Sequence, residues 1–418
     1  MNWQGIRNPT LVQVGAFLAL MVVVMMPIIS PRLPSVLLGL MSGWLIWTQR
    51  TSLLASTAVR RLMGVFALLW IPMLLSIPTS FDPRYSAMVA FAVAFYTLGG
   101  LAVIHALRGD AQRLWLAKWI TIAMIVWIAD GMIQYLFGKD LLGYPLTVDG
   151  RLTGVFHGSL PLSGTLAILL PISAWHMLRK HPLGALAMFI GCGIVAVLVA
   201  TRNALMLMVI AAGGTWLRLP RRNWLVLGVA ALVIAGAISL SPSLKERLER
   251  TADIGTMTFQ EYDHILSGRL TIWKTATHMI IDRPFTGVGI GMFAVAYDHY
   301  STRPDDPFRT GGALRFGGFH AHNVYMSIAA ETGWTGLLGI IVAFVLCVKW
   351  YYAAPLSRRE QAWPFAFGLL IAVFPLSSEY GIYKHSIYPI VLLLLCATLA
   401  ALEGKIADAK KFADESQG

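Results

Sequence analysis

The chain has 418 residues, 57% of them hydrophobic and 13% charged, with a formal net charge of +12 and a mean hydropathy of +0.66. That balance excludes a soluble globular enzyme and points to a polytopic membrane protein. Basic residues set membrane topology, so the positive charge calls for no nucleic-acid partner, and none is expected.

A spanning helix needs about 20 mostly apolar residues. Twelve segments answer that description, near 11–29, 33–48, 62–78, 85–107, 114–137, 161–178, 183–200, 203–217, 224–241, 323–348, 362–379 and 385–402. The expected fold is therefore all-α, a multi-pass bundle of about twelve transmembrane helices. The first segment follows Arg7 and runs into Ser30-Pro31-Arg32 with no small-x-small cleavage site, so it reads as a retained helix. Asp130 lies in the fifth segment, toward its outer end. It reads either as a functional intramembrane carboxylate or as one close enough to the interface to stay wet. Arg151, within Asp149-Gly150-Arg151-Leu152-Thr153-Gly154-Val155-Phe156-His157, reads by itself as a solvated loop charge.

The run from Pro182 to Leu217 holds one charged residue, Arg202, and is too long for one span at about 1.5 Å per residue. Folding it at Thr201-Arg202-Asn203 gives two short spans and puts Arg202 at the outer interface. Burial at mid-membrane would cost about 2.5–3.5 kcal/mol. At the interface Arg202 either snorkels to water or is placed for a ligand. Cys192, Cys347 and Cys396 all fall in apolar segments and read as small core residues, not as a disulfide framework.

With the N-terminus in the cytoplasm, the inside segments collect Arg50, Arg60, Arg61, Arg108, Arg113, Arg179, Lys180, Arg221, Arg222, Arg358 and Arg359. The short outside loops hold fewer: Arg32, Arg84, Lys139, Arg151, Arg202 and Lys384. An even helix count returns the C-terminus to the cytoplasm. The expected division is 1–241 for helices one to nine, 242–322 for an outside loop domain, 323–402 for helices ten to twelve, and 403–418 for a frayed cytoplasmic tail.

A loop as long as 242–320 is functional or carries structure of its own. Helices are expected at Leu244 to Thr251, with Ser243 as N-cap, and at Arg269 to Ile281. In the second, Leu270, Trp273, Thr277 and Ile280 share a face, and Asp282-Arg283-Pro284 ends it. Both should lie on or near the membrane surface. Gly287-x-Gly289-x-Gly291 has no strand before it and reads as a plain turn, not a phosphate loop. The loop balances its acids and bases, so any anion must be held by position. Arg269 after Ser267-Gly268 starts a helix, and a guanidinium with free N-terminal N–H groups makes an anion site; a plain surface arginine is the alternative.

The loop closes on His320-Ala321-His322-Asn323. Imidazole titrates near neutrality and can take a proton from a hydroxyl nucleophile. Read locally, the same residues start a helix with Asn323 as N-cap. A metal site would need further ligands, and Asp305, Asp306 and Glu331 stand at no ligand spacing, so no metal and no cofactor is expected.

After His322-Asn323 come nine residues, Val324 to Thr332, and then Gly333-Trp334-Thr335-Gly336. This His-Asn-x9-Gly-x-x-Gly, closing one large loop between late spans, resembles the lipopolysaccharide O-antigen ligases. Their superfamily includes O-antigen polymerases and protein O-oligosaccharyltransferases. The superfamily's Arg, Trp, Pro and Gly-x-Gly are matched by Arg269, Trp273, Pro284, Gly287 and Gly289. Its span-boundary arginine is matched by Thr201-Arg202, and its Arg-x-x-Gly-x-Phe by Arg151 to Phe156.

The resemblance implies a glycosyltransferase of the GT-C kind in the bacterial inner membrane, with its active site facing the periplasm and the 242–322 loop periplasmic. Its partners would be undecaprenyl-pyrophosphate-linked O-antigen, lipid A–core oligosaccharide and membrane lipids. His322 would be the base, with Arg269 catalytic beside it. Arg202, Arg151, His320, Asn323 and Arg315 would hold the pyrophosphate donor. Transfer would invert the anomeric centre and need no metal. The rival readings are an O-antigen polymerase, a protein O-oligosaccharyltransferase and, from another class, a polysaccharide or lipid transporter with pseudo-symmetric halves and broken helices.

Overall fold

The computed structural model describes residues 10–27, 31–147, 150–157, 162–178, 181–199, 201–218, 228, 259–304, 306–309, 320–375, 383 and 387–403. The described residues form fourteen α-helices and no strand. The bundle helices are α1 (Leu11–Val24), α2 (Arg32–Ala55), α3 (Thr57–Ser76), α4 (Pro83–Ala106), α5 (Asp110–Phe137), α6 (Leu162–Leu178), α7 (Pro182–Val199) and α8 (Arg202–Trp216). Three short helices follow: α9 (Phe259–Ile265), α10 (Arg269–Asp282) and α11 (Phe293–Tyr300). The chain then returns to the bundle in α12 (Val324–Ala353), α13 (Leu356–Ala372) and α14 (Tyr388–Glu403).

Among the described residues, four helices are long and apolar enough to cross a membrane: α3, α4, α5 and α12. Helices α1, α6, α7, α8 and α14 are apolar but shorter. Each expected segment but one overlaps a helix; the ninth, 224–241, lies outside the described residues apart from Gly228, and the helix expected at Leu244 to Thr251 lies outside them altogether. Large apolar side chains remain exposed on the bundle helices, among them Phe91 at 71% and Leu338 at 62%. Continuous apolar surface of that kind is stable against lipid rather than water.

The two ends of the bundle differ in chemistry. At one end Arg113 is fully buried, pairs with Asp110 and donates to the carbonyls of Leu107 (2.6 Å) and Arg108 (2.8 Å). Arg358 reaches Asp110 at 3.7 Å, and Arg108 reaches Glu403 at 3.9 Å. Glu403 also accepts from the Ser56 hydroxyl and the Thr57 N–H, each at 2.7 Å. It is therefore the last residue of α14 and ties α14 to α3; the expectation that the frayed tail starts there is corrected.

At the opposite end the chain from Arg283 to Met292 docks on the turn between α3 and α4. The Phe81 N–H donates to the Val288 carbonyl (3.2 Å), the Ile290 N–H to the Ser76 hydroxyl (3.2 Å), and the Ser86 hydroxyl to the Ile290 carbonyl (2.8 Å). The Gly287-x-Gly289-x-Gly291 stretch is thus a turn, as expected, but one fitted between two partners. All three glycines have positive φ, and a Cβ on Gly289 would strike Ser80.

Helix α10 ends one residue beyond expectation, at Asp282, and its buried face is Thr271, Ile272, Thr275, Ala276 and Met279. Leu270, Trp273, Thr277 and Ile280 lie on the less buried side of the helix, and Thr277 is exposed. The helix packs against α11 and α12. Cys192 and Cys396 are buried and Cys347 half-buried, all three as free thiols.

Candidate functional site

Asn323 starts α12 as its side-chain cap. Its Oδ1 accepts from the N–H groups of Tyr325 (3.0 Å) and Met326 (3.1 Å), which have no partner within the helix. Its Nδ2 donates to the Pro375 carbonyl at 2.9 Å, joining the start of α12 to the chain leaving α13. Replacing Asn323 by Ala removes all three bonds and is expected to cost about 1–2 kcal/mol. Thermal unfolding in detergent measures it. Asn323→Asp keeps the two cap bonds, loses the Pro375 bond and should fall between the two.

His322, immediately before the cap, has φ +50°, the left-handed region that non-glycine residues seldom occupy. Its ring lies 4.6 Å from that of His320, and both residues are half-buried. Between them, the Ala321 N–H donates to the Ser327 hydroxyl (3.2 Å). The Ala321 carbonyl accepts from the Trp273 indole at 2.9 Å. That last bond ties the histidine segment to α10, whose first residue is Arg269. Backbone bonds on both sides hold His322 in its left-handed conformation, and such strain persists where the surroundings over-determine it. No group of three His, Cys, Asp or Glu able to hold a metal occurs among the described residues.

The start of α10 differs from expectation. Two of its first N–H groups are taken within the protein: the Arg269 N–H donates to the Leu266 carbonyl (3.3 Å), and the Thr271 N–H to the Asp263 carboxylate (3.1 Å). Asp263, buried on α9, also accepts from the Thr271 hydroxyl, placing a negative charge at the positive end of the helix. The Arg269 side chain at this helix start is half-buried. Asp263 stands six residues before Arg269 across a turn, so no capping pattern in the sequence reveals it.

The other candidates divide. Arg202 is the first residue of α8, just after Thr201 in an extended conformation, so the chain does turn where a fold was expected. Beside it Asn203 is buried at 6% exposure. Arg151 lies in the loop after α5, where the Arg151 N–H donates to the Thr147 hydroxyl (2.9 Å) and the side chain is half-buried. That loop closes over Asp130 and Gln134 of α5, both fully buried. Asp130 accepts from the Leu141 N–H at 2.9 Å, and Gln134 from the N–H groups of Thr153 (2.9 Å) and Gly154 (2.8 Å). Asp130 is thus a loop-shaping group, not a wet interfacial one. Arg315 lies outside the described residues.

The Gly-x-x-Gly half of the histidine motif also has its place. Gly333 breaks α12 with φ 70° and ψ −169°, a conformation confined to glycine. The break frees backbone for the docked turn: the Val288 N–H donates to the Ala330 carbonyl (2.9 Å), the Gly289 N–H to the Glu331 carbonyl (3.0 Å), and the Trp334 N–H to the Pro284 carbonyl (2.7 Å). The motif's two ends, Pro284 with Gly287 and Gly289, and Gly333 with Gly336, are therefore two sides of one joint beneath α10.

No curated protein matches the chain. Residues 185–341 match the family model described as O-antigen ligase, a stretch that holds Arg202, Arg269, His320, His322, Asn323 and the Gly333 joint.

Proposed function

We propose that the chain is an inner-membrane O-antigen ligase. It moves a glycan from undecaprenyl pyrophosphate to a sugar hydroxyl of lipid A–core at the periplasmic face. The observation that carries this reading is the left-handed His322, held beside His320 and bonded through Ala321 to the helix that begins with Arg269.

In the proposed reaction the His322 imidazole takes the proton of the acceptor hydroxyl. That oxygen attacks the anomeric carbon, and the bond to the pyrophosphate oxygen breaks with inversion. The lipid pyrophosphate leaves with the electron pair, and Arg269 and Arg202 neutralise its growing charge, with Arg151 and Arg315 as further donors. The link to pyrophosphate is already activated, so no nucleotide is consumed, and the same step needs no metal. In the topology proposed here, about twelve helices cross the membrane, both termini are cytoplasmic, and the basic network of Arg108, Arg113 and Arg358 marks the cytoplasmic end.

Purified protein with lipid-linked glycan and lipid A–core, in EDTA and without ATP, should give the joined product. Failure with the core acceptor but elongation of a lipid-linked glycan would make the protein a polymerase. Charge-assisted hydrogen bonds contribute about 1.5–3 kcal/mol each, so Arg269→Ala and Arg202→Ala should each weaken donor use by about 10- to 100-fold. Donor kinetics unchanged in both would remove the pyrophosphate role.

A further inference from the structure

Helix α10 has a second polar face. With about 3.6 residues per turn, Thr271, Lys274 and Thr275 lie on the side away from Arg269 and Trp273. They wall a cavity of about 300 Å³, completed by Gln260 of α9 and by Ser301 and Arg303 after α11. The wall is built of hydroxyls, an amide and two cations, and its floor is pinned from behind. Arg303 pairs with buried Asp263 at 3.9 Å and reaches the Thr271 hydroxyl at 3.5 Å. The Ser301 hydroxyl and the Tyr297 phenol (3.0 Å) both donate to buried Asp306. Burial pushes the Tyr297 phenol well above its ordinary range, which keeps it a donor. The two carboxylates are nearly closed to solvent, at 5% and 6% exposure, and Arg303 is paired with one of them, so the charge a ligand meets is chiefly that of exposed Lys274, among hydroxyls.

We propose that this cavity is a saccharide subsite for an acidic sugar unit, one carrying a carboxylate or a phosphate, on the glycan chain beyond the reacting ring. The proposal rests on the ligase reading, since a transferred glycan is a chain and must lie somewhere on the loop. A helix is about 10 Å across, so a few sugar units passing over the first turn of α10 connect its two faces. The volume is at the small end of ligand sites, about 300–1,000 Å³, and suits one or two rings. Hydroxyl and amide side chains pair with sugar hydroxyls, and Lys274 selects for negative charge.

The test is direct binding to the full-length protein in detergent by calorimetry, with four probes: trigalacturonate, glucose 6-phosphate, maltotriose and inorganic phosphate. Trigalacturonate or glucose 6-phosphate should bind at least ten-fold tighter than maltotriose, and whichever binds better identifies the acidic group. Lys274→Gln should weaken that binding about ten-fold, which is about 1.4 kcal/mol. Lys274 is exposed, so folding should be unaffected. No binding of either acidic sugar overturns the proposal, as does equal binding in the Lys274 variant. Inorganic phosphate binding as tightly as both sugars reduces the cavity to an anion site and overturns it too. The assay contains no lipid substrate: binding without glycan transfer would sink the ligase reading alone, and transfer without binding would sink this one alone.

Discussion

His322→Ala is expected to lower glycan transfer by about 10²- to 10⁴-fold, the usual contribution of a positioned general base. The protein should still reach the membrane and keep its thermal stability within about 1–2 kcal/mol. The bonds that hold this segment run through the Ala321 backbone and the Asn323 side chain, and both remain in the variant. Alanine does pay for the left-handed backbone at position 322, where φ is +50°. His322→Asn separates that strain from the chemistry, because asparagine tolerates the left-handed region and its amide cannot serve as a base at neutral pH. Both variants should be inactive if the imidazole takes the proton. Wild-type rates in His322→Asn would show that residue 322 shapes the backbone and that the base lies elsewhere.

Much of this organisation is legible in the residues. Apolar length gives the bundle helices, because a helix against lipid carries its signal in every residue. The turn at Thr201-Arg202 follows from the cost of a buried guanidinium, and the Asn323 cap follows from residue type alone. What is not legible comes from partners distant in sequence. The buried face of α10 is set by α11 and α12, so the periodicity of α10 alone does not single it out. Asp263 caps α10 across a turn with two successive left-handed residues, Ser267 and Gly268. The docking of Gly287 and Gly289 on the broken part of α12 joins segments more than 40 residues apart, and nothing local to either announces the other. The motif marks which residues matter; their division between chemistry, in His322, and joinery, in Gly333, appears in the backbone angles.

That division gives the second large effect. Gly333→Ala is expected to destabilise the protein by about 1–3 kcal/mol from backbone strain alone, since φ 70° with ψ −169° belongs to glycine. The added methyl makes it worse: it would fall on the backbone of Phe285 and the carbonyl of Pro284, which cannot rotate away. Relief requires the 284–289 turn to lift off α12, which breaks the bonds from Val288, Gly289 and Trp334. That turn follows α10 directly and seats it against α12, so Arg269 should lose its register with His322. Transfer should then fall at least ten-fold although no proposed catalytic residue has changed. Gly336→Ala is the control within the same motif. Its methyl would meet the Thr332 side chain, which must turn and give up its bond to the Ile328 carbonyl, but the backbone there is ordinary helix and stays in place, so the loss should be smaller. Thermal unfolding of both variants in detergent, alongside transfer rates, decides the matter. A Gly333→Ala protein as stable and active as Gly336→Ala would mean that the break in α12 does not position the site.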